Sequence, residues 1–196
     1  MKSNPEIIIL NYGARYINLV KQYVTNLDVS CEIVNWDISC EELCKINPKG
    51  IILSGGPKSV TENDSPYLPD HVLNYNVPIL GICYGMQTMA DRLGGKVIKA
   101  EKAEFGKREV NQIKTNKLLS GVHIDNHKME MWMEHYDRVA ILPKGFTNYA
   151  NTLDCPYQMI MDDSERLFGI QFHPELEGSV NGGILFKNFV KDICKI

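Results

Sequence analysis

Short β-branched apolar runs alternate along the first half of the chain with stretches in which apolar residues recur at three- and four-residue steps. Glu6 to Leu10 (EIIIL), Cys31 to Trp36 (CEIVNW), Gly50 to Leu53 (GIIL) and Val77 to Ile82 (VPILGI) predict strands. The last three are close to continuous apolar runs, the pattern of strands covered on both faces. Between the first two, Tyr16, Leu19, Val20, Tyr23, Val24 and Leu27 line one face of a helix. A second helix, from about Gly85 to Leu93, follows the fourth run, and Gly94-Gly95 ends it because glycine takes a left-handed turn without a side-chain clash. Strand, helix and strand in series predict an α/β fold with a doubly wound, mostly parallel central sheet and helices on both faces.

After Gly95 the texture changes. Lys96 to Ala100, Arg108 to Thr115, Glu130 to Met133, Arg138 to Leu142, Tyr157 to Met161 and Leu167 to Phe172 are short strand candidates separated by Pro, Gly, Asn and Asp. They predict a smaller antiparallel sheet in the second half. Leu185, Phe186, Phe189, Val190 and Ile193 place a closing helix over Gly183 to Ile193. Trp36 and Trp132 fall in strand-like runs and are expected in the core; Met86 and Met89 are expected to pack the second helix on the sheet. With no repeat, low-complexity tract or linker, residues 1–196 are expected to form a single domain.

Composition narrows the class without changing this picture. The chain is 44% hydrophobic and 23% charged, which excludes disordered and collagen-like chains. No apolar run approaches the roughly 20 residues that span a bilayer. Met1-Lys2-Ser3-Asn4-Pro5 lacks the basic start and apolar core of a secretory leader, so the expectation is a cytoplasmic protein without a membrane partner. Lys and Arg number 21 against 24 Asp and Glu, with no basic block, which argues against a nucleic-acid partner. Cys31, Cys40, Cys44, Cys83, Cys155 and Cys194 lack the spacing of a disulfide framework and read as reduced thiols. Cys40-x3-Cys44 and His123-x3-His127 read as ordinary residues, His71 reads as a surface residue, and no metal is expected.

The chemistry concentrates at three strand ends. Gly81-x-Cys83-x-Gly85 joins an apolar run directly to a helix, the setting of a nucleophile elbow, with Cys83 on a strained turn. A Cβ at either glycine would collide with backbone in so tight a turn. The helix amino terminus favours a thiolate there. Gly169-Ile170-Gln171-Phe172-His173-Pro174-Glu175 is another apolar run ending in polar residues. A thiol attacking an amide needs a base for its proton, and the base needs a carboxylate to fix its tautomer; His173 and Glu175 supply both. Gly50 to Leu53 ends in Ser54-Gly55-Gly56-Pro57, which lacks the Lys and Ser/Thr of a phosphate-binding loop. It suits an oxyanion hole formed by the amides of Gly56 and Tyr84. Thiol, imidazole and backbone amides leave no step that needs a cofactor.

SGGPKSV at 54–60, GICYGMQTMADRLGGKV at 81–97, EFGKREV at 104–110, MWMEHYDRV at 131–139, LPKGF at 142–146 and GIQFHPE at 169–175 resemble the class I, triad-type glutamine amidotransferases. Among these the glutaminase domain of GMP synthetases is the most similar. The resemblance covers nearly the whole chain in order. It implies a flavodoxin-like fold and a Cys83, His173, Glu175 triad that hydrolyses the side-chain amide of glutamine through a thioester. It also implies that Gln87 and the backbone near Tyr136 and Asp137 hold the amino-acid end of the substrate. Three stretches depart from the GMP synthetase pattern: Tyr12-Gly13-Ala14-Arg15 for Phe-Gly-Ser-Gln, Glu134-His135-Tyr136-Asp137 for Ser-His-Gly-Asp, and Leu176-Glu177-Gly178-Ser179 for Val-x-His-Thr.

The resemblance implies a glutaminase that delivers ammonia to an ATP-dependent synthetase, as a further domain or a separate subunit, because no Ser-Gly-Gly-x-Asp-Ser nucleotide loop occurs in these residues. The alternative is a free-standing γ-glutamyl hydrolase acting on an N-substituted glutamine, with Arg15 or Lys58 meeting an anionic, phosphoryl- or nucleotidyl-linked substituent. A non-catalytic regulatory role is disfavoured, since a dead site has no physical need to keep Cys83, His173, Glu175 and Gly56 together.

Overall fold

In chain order the elements are β1 (Ile7–Asn11), α1 (Ile17–Thr25), β2 (Cys31–Asn35), α2 (Cys40–Ile46), β3 (Gly50–Leu53), α3 (Asp70–Leu73), β4 (Ile79–Ile82), α4 (Tyr84–Arg92), β5 (Lys96–Gln112), β6 (Lys128–Ile141), β7 (Phe146–Asn151), β8 (Met159–Asp162), β9 (Leu167–Ile170) and α5 (Gly182–Lys187). The structure, a computed structural model, describes residues 4–196; Met1, Lys2 and Ser3, where the reading of the leader begins, lie outside them. The strands form one sheet in the order β2-β1-β3-β4-β9-β8-β7-β5-β6. From β2 to β9 the pairings are parallel. From β9 to β6 they are antiparallel.

Strand periodicity sorts the continuous apolar runs onto two faces. Ile7 and Ile9 of β1 pack with Val20 and Val24 of α1 and with Leu185, Phe186, Phe189 and Val190 of the closing helical segment. Ile8 and Leu10 point the other way, onto Leu43 of α2, Val72 and Leu73 of α3 and Met89 of α4. Each of these isoleucines and leucines on β1 is fully buried, a contribution of about 1.5–3 kcal/mol per side chain. This explains why EIIIL does not alternate with polar residues. A third cluster joins Met86 and Ala90 of α4 to Val97, Val139 and Ile160.

Four readings are corrected. The antiparallel strands extend the same sheet and do not form a second one: β8 pairs with β9, and the long β5–β6 ribbon joins through two residue pairs, Asn111 with Asn151 and Gln112 with Ala150. The separate strands predicted on either side of 100–108 and 133–138 are two long ones, because Met129, Met131, Met133 and His135 alternate inward and a polar His135 continues the apolar period. β2 is an edge strand with a half-buried pattern, not one covered on both faces. Neither tryptophan is core: Trp36 is half-buried, edge-on to Tyr67, and Trp132 is half-buried on the face of β6 opposite its methionines. α2 and β7 have no counterpart in the hydrophobic pattern. α2 is charged over much of its length, and its local mark is the Ser39 cap, whose Oγ accepts from the Glu42 amide at 3.1 Å. The closing helix starts at Gly182 and widens into a π-helical stretch over Asn188–Ile193.

β1, β3, β4 and β9 all end on one side of the sheet, and the loops that follow converge there, as ligand sites in doubly wound sheets do. One close approach there is between the β4–α4 turn and β3. A Cβ on Gly85 would lie 2.4 Å from the Leu53 carbonyl oxygen, and one on Gly81 would lie 2.7 Å from backbone atoms of Gly85 and Met86. Gly85→Ala is therefore expected to lower stability by about 1–3 kcal/mol or more through overpacking. Urea unfolding checks this; an unchanged midpoint would remove the steric account of the turn.

Candidate active site

β4 delivers Cys83 to the amino terminus of α4 with φ 50° and ψ −105°, a conformation rarely held by a non-glycine residue. Such strain costs about 1–3 kcal/mol and persists only where surroundings enforce it. Here the Cys83 amide donates to Ile170 O at 2.7 Å, and the Gln87 amide donates to Cys83 O at 3.1 Å. The thiol is buried at the floor of a cavity of about 720 Å³.

β9 brings the second group. His173 follows the strand, and its amide donates to Trp132 O at 2.9 Å. Ser179 Oγ donates to His173 O at 2.6 Å and accepts from the Trp132 amide at 2.9 Å, so the turn is tied at both ends. Gly178 is needed against Trp132, since a Cβ there would lie 2.1 Å from the indole ring. The stretch Leu176 to Ser179, which departs from the family pattern, thus braces the histidine. His173 Nδ1 lies 2.7 Å from Glu175 Oε1, and both residues are buried. A carboxylate only accepts, so Nδ1 carries the hydrogen and Nε2 is left for Cys83. Burial alone would lower the His173 pKa from 6.5; the negative charges of Cys83 and Glu175 and the hydrogen bonds to them outweigh it and hold the imidazole well above that value.

β3 supplies the third wall. Ser54 Oγ accepts from the Tyr12 amide at 3.0 Å and donates to Gly55 O at 2.8 Å, which fixes the glycine turn to the end of β1. Gly56 sits where a Cβ would meet Tyr12 O at 2.7 Å and the Tyr84 ring at 3.2 Å. The Tyr84 ring turns away and bonds to Pro66 O, so Tyr84 offers only its backbone here. Burial pushes that phenol up to about 12. Among the described residues, the amides of Gly56 and Tyr84 have no hydrogen-bond acceptor.

Gln87, Tyr136 and Asp137 line the same cavity as Cys83, Gly56, His173 and Glu175, so every residue predicted for the site except the backbone-only Tyr84 borders it. Gln87 Nε2 donates to Asp137 O at 2.9 Å and to Gln171 Oε1 at 3.2 Å. Gln171 Nε2 in turn lies 3.5 Å from Cys83 Sγ. Gln171 was missed by sequence reading; its signal is a fully buried polar residue between Ile170 and Phe172. Arg15, Lys58 and Lys99 stand around the cavity with Glu62 and Glu134, and exposed Phe105 and Tyr136 meet edge to face at its rim, 4.9 Å between centroids.

Glu104, His135 and Cys155 also come together, all three buried and His135 bordering the same cavity, with donor atoms within 4.8 Å of one another. They make three ligands where a closed structural zinc site uses four. The Cys155 thiol bonds to Tyr157 O at 3.6 Å and is pushed up to about 12 by burial, which favours the protonated form over a metal-binding thiolate. No helix among the described residues is long and apolar enough to cross a membrane.

A family model for the class I glutamine amidotransferases matches residues 8–193. The chain is 46% identical over 193 residues to a glutamine-hydrolysing GMP synthase of Alcanivorax borkumensis and 44% identical over 194 residues to one of Alteromonas mediterranea, covering 96% of this chain and 37% of each relative. It thus spans little more than a third of the curated relatives it matches. A solved Thermoplasma acidophilum protein, named for one subunit of a GMP synthase, superposes with a TM-score of 0.83 at 29% identity, covering 100% of this chain and 96% of that one. A glutamine amidotransferase of Thermotoga maritima superposes with a TM-score of 0.79 at 17% identity over the full length of both chains, a likeness of fold. This chain belongs to the class I glutamine amidotransferases.

Proposed function

We propose that residues 1–196 act as one amidotransferase domain that hydrolyses the side-chain amide of glutamine with Cys83 as nucleophile, His173 as proton carrier and Glu175 as its orienting carboxylate. The observation that carries this is a cysteine on a strained strand-to-helix turn sharing one cavity with an imidazole that is itself bonded to a carboxylate. His173 takes the thiol proton and the thiolate attacks the amide carbon. The oxyanion forms between the amides of Gly56 and Tyr84. The imidazolium then gives its proton to the leaving nitrogen, ammonia departs, and a γ-glutamyl thioester remains. His173 next takes a proton from water, hydroxide adds to the thioester, and glutamate leaves as the thiol is restored. The zwitterionic end of glutamine meets Gln87 and the backbone of Tyr136 and Asp137. The ammonia acceptor is an ATP-dependent synthetase domain or subunit of the GMP synthetase kind, supported by the relatives of which this chain matches one part.

A second reading is favoured by the cavity itself. At about 720 Å³ it falls within the roughly 300–1,000 Å³ range of clefts that enclose drug-sized ligands, and glutamine fills only part of it. Arg15, Lys58 and Lys99 around it would suit an anionic substituent on the glutamine nitrogen. A panel of γ-glutamyl amides decides between the two: the first reading expects kcat/KM to be highest for plain glutamine, and a preference for a phosphoryl-bearing amide would establish the second.

Cys83→Ala is expected to keep the fold and lower turnover by about 10⁴-fold or more. Mass spectrometry after treatment with a glutamine-like diazo-ketone should place the label on Cys83; undiminished turnover in the variant would end the covalent mechanism. For Glu175→Gln a loss of about 10³–10⁴-fold in kcat is expected. The same change removes a charge that raises His173, so the imidazole pKa falls. In the wild type the charged imidazole stabilises the fold fully below pH 6.5, and this is lost as pH rises through the raised native value. In Glu175→Gln that loss comes at lower pH, and an NMR titration of the ring protons measures it. An unmoved titration would refute the coupling.

A further inference from the structure

We propose that the buried Glu104–His135 pair is a positioning device that holds the Glu134–Asp137 wall of the substrate pocket, and thereby sets affinity for the amino-acid end of glutamine. The inference rests on the glutaminase reading above. Glu104 and His135 face each other across β5 and β6, at the point where the ladder resumes after its register shift between Lys99 and Glu104. Their side chains are 2% and 1% exposed, so neither reaches solvent. His135 Nδ1 lies 3.1 Å from Asp137 O, and a carbonyl only accepts, so Nδ1 carries a hydrogen. His135 Nε2 lies 3.1 Å from Glu104 Oε2 but off the hydrogen-bond axis, a close approach without an aligned hydrogen bond. Gln158 Nε2 donates to the same Glu104 oxygen at 2.7 Å and fixes the carboxylate from the side of β8.

The pair is joined to the nucleophile by a continuous path. Asp137 O accepts from both His135 and Gln87. Gln87 reaches Gln171, and Gln171 reaches Cys83 Sγ. On the outer side of the same segment, Glu134 O lies 3.8 Å from Cys83 Sγ, and Tyr136 and Asp137 border the cavity. Whatever holds His135 therefore holds the carbonyls and amides that line this wall. A buried donor or acceptor left without its partner carries the full desolvation cost of that group, so replacing the Glu104 carboxylate should drive the segment to rearrange. Losing one or two well-placed contacts to the amino-acid end weakens affinity by about tenfold to a hundredfold.

Glu104→Gln keeps the shape and replaces the carboxylate by an amide. The KM for glutamine should rise about tenfold to a hundredfold while kcat changes by less than about threefold. Labelling of Cys83 by the diazo-ketone, which needs the amino-acid end bound, should slow by a similar factor; alkylation by iodoacetamide, which does not, should keep the wild-type rate. Glu104→Asp should recover part of the affinity. If Glu104→Gln fails to fold, His135→Asn is scored by the same ratio of the two labelling rates. A folded variant with unchanged KM and labelling ratio overturns the proposal, as does equal slowing by both reagents, which would mean general loosening. Loss of substrate affinity when the wild type is treated with a chelator would also overturn it, since a metal and not the direct Glu104–His135 contact would then hold the wall. If wild-type Cys83 takes no diazo-ketone label, it is the glutaminase reading that falls.

Discussion

The site depends on how closely the β4–α4 turn can press against β3. Gly81 and Gly85 let backbone meet backbone at distances that no Cβ would tolerate, and Cys83 between them takes a strained positive-φ conformation at the head of α4. The thiol is thereby lifted into the cavity while the helix behind it, through Met86 and Ala90, remains locked in the core. Relaxing the turn would move the sulfur with the backbone, because no flexible side chain separates the two beyond a single rotatable bond.

Around that sulfur the polar groups are held mostly by backbone. The histidine is fixed by its own amide and carbonyl as much as by Glu175, through Trp132 and Ser179. The glycine turn after β3 is fixed by Ser54. Such attachments leave the imidazole little freedom, so the energy that would go into ordering it during a reaction has already been spent in folding. The raised pKa of His173 has the same origin: burial disfavours its charge, yet two fixed negative partners prevail because they cannot move away or be screened by water.

The β5–β6 ribbon gives the pocket a wall that packs on the parallel core through side chains, Val97 and Val139 meeting Met86 and Ala90 of α4. Among the described residues its strands pair with the rest of the sheet at two residue pairs, and its inner face carries a row of methionines ending in His135. A wall of this kind needs its own internal ties, and the buried Glu104, His135 and Gln158 group lies where they are required. The stretches that depart from the GMP synthetase pattern fall around this pocket, with Arg15 and Tyr136 lining its mouth and Ser179 bracing the turn beneath it.

The parallel core and the places of Cys83, His173 and Glu175 beyond strand ends can be read along the chain, because a strand covered on both faces leaves an unbroken apolar run and an elbow leaves its two glycines. Gly56 was legible for the same reason. The extent of β5 and β6, the place of Gln171 and the pairing of Glu104 with His135 emerge from the assembled sheet. A buried polar residue looks like a break in a hydrophobic pattern until its partner is known, and Glu104, Gln158 and Cys83 reach their partners from distant parts of the chain. Local periodicity reports which way a side chain points, whereas the charge or carbonyl that it meets there is set by sheet order and register.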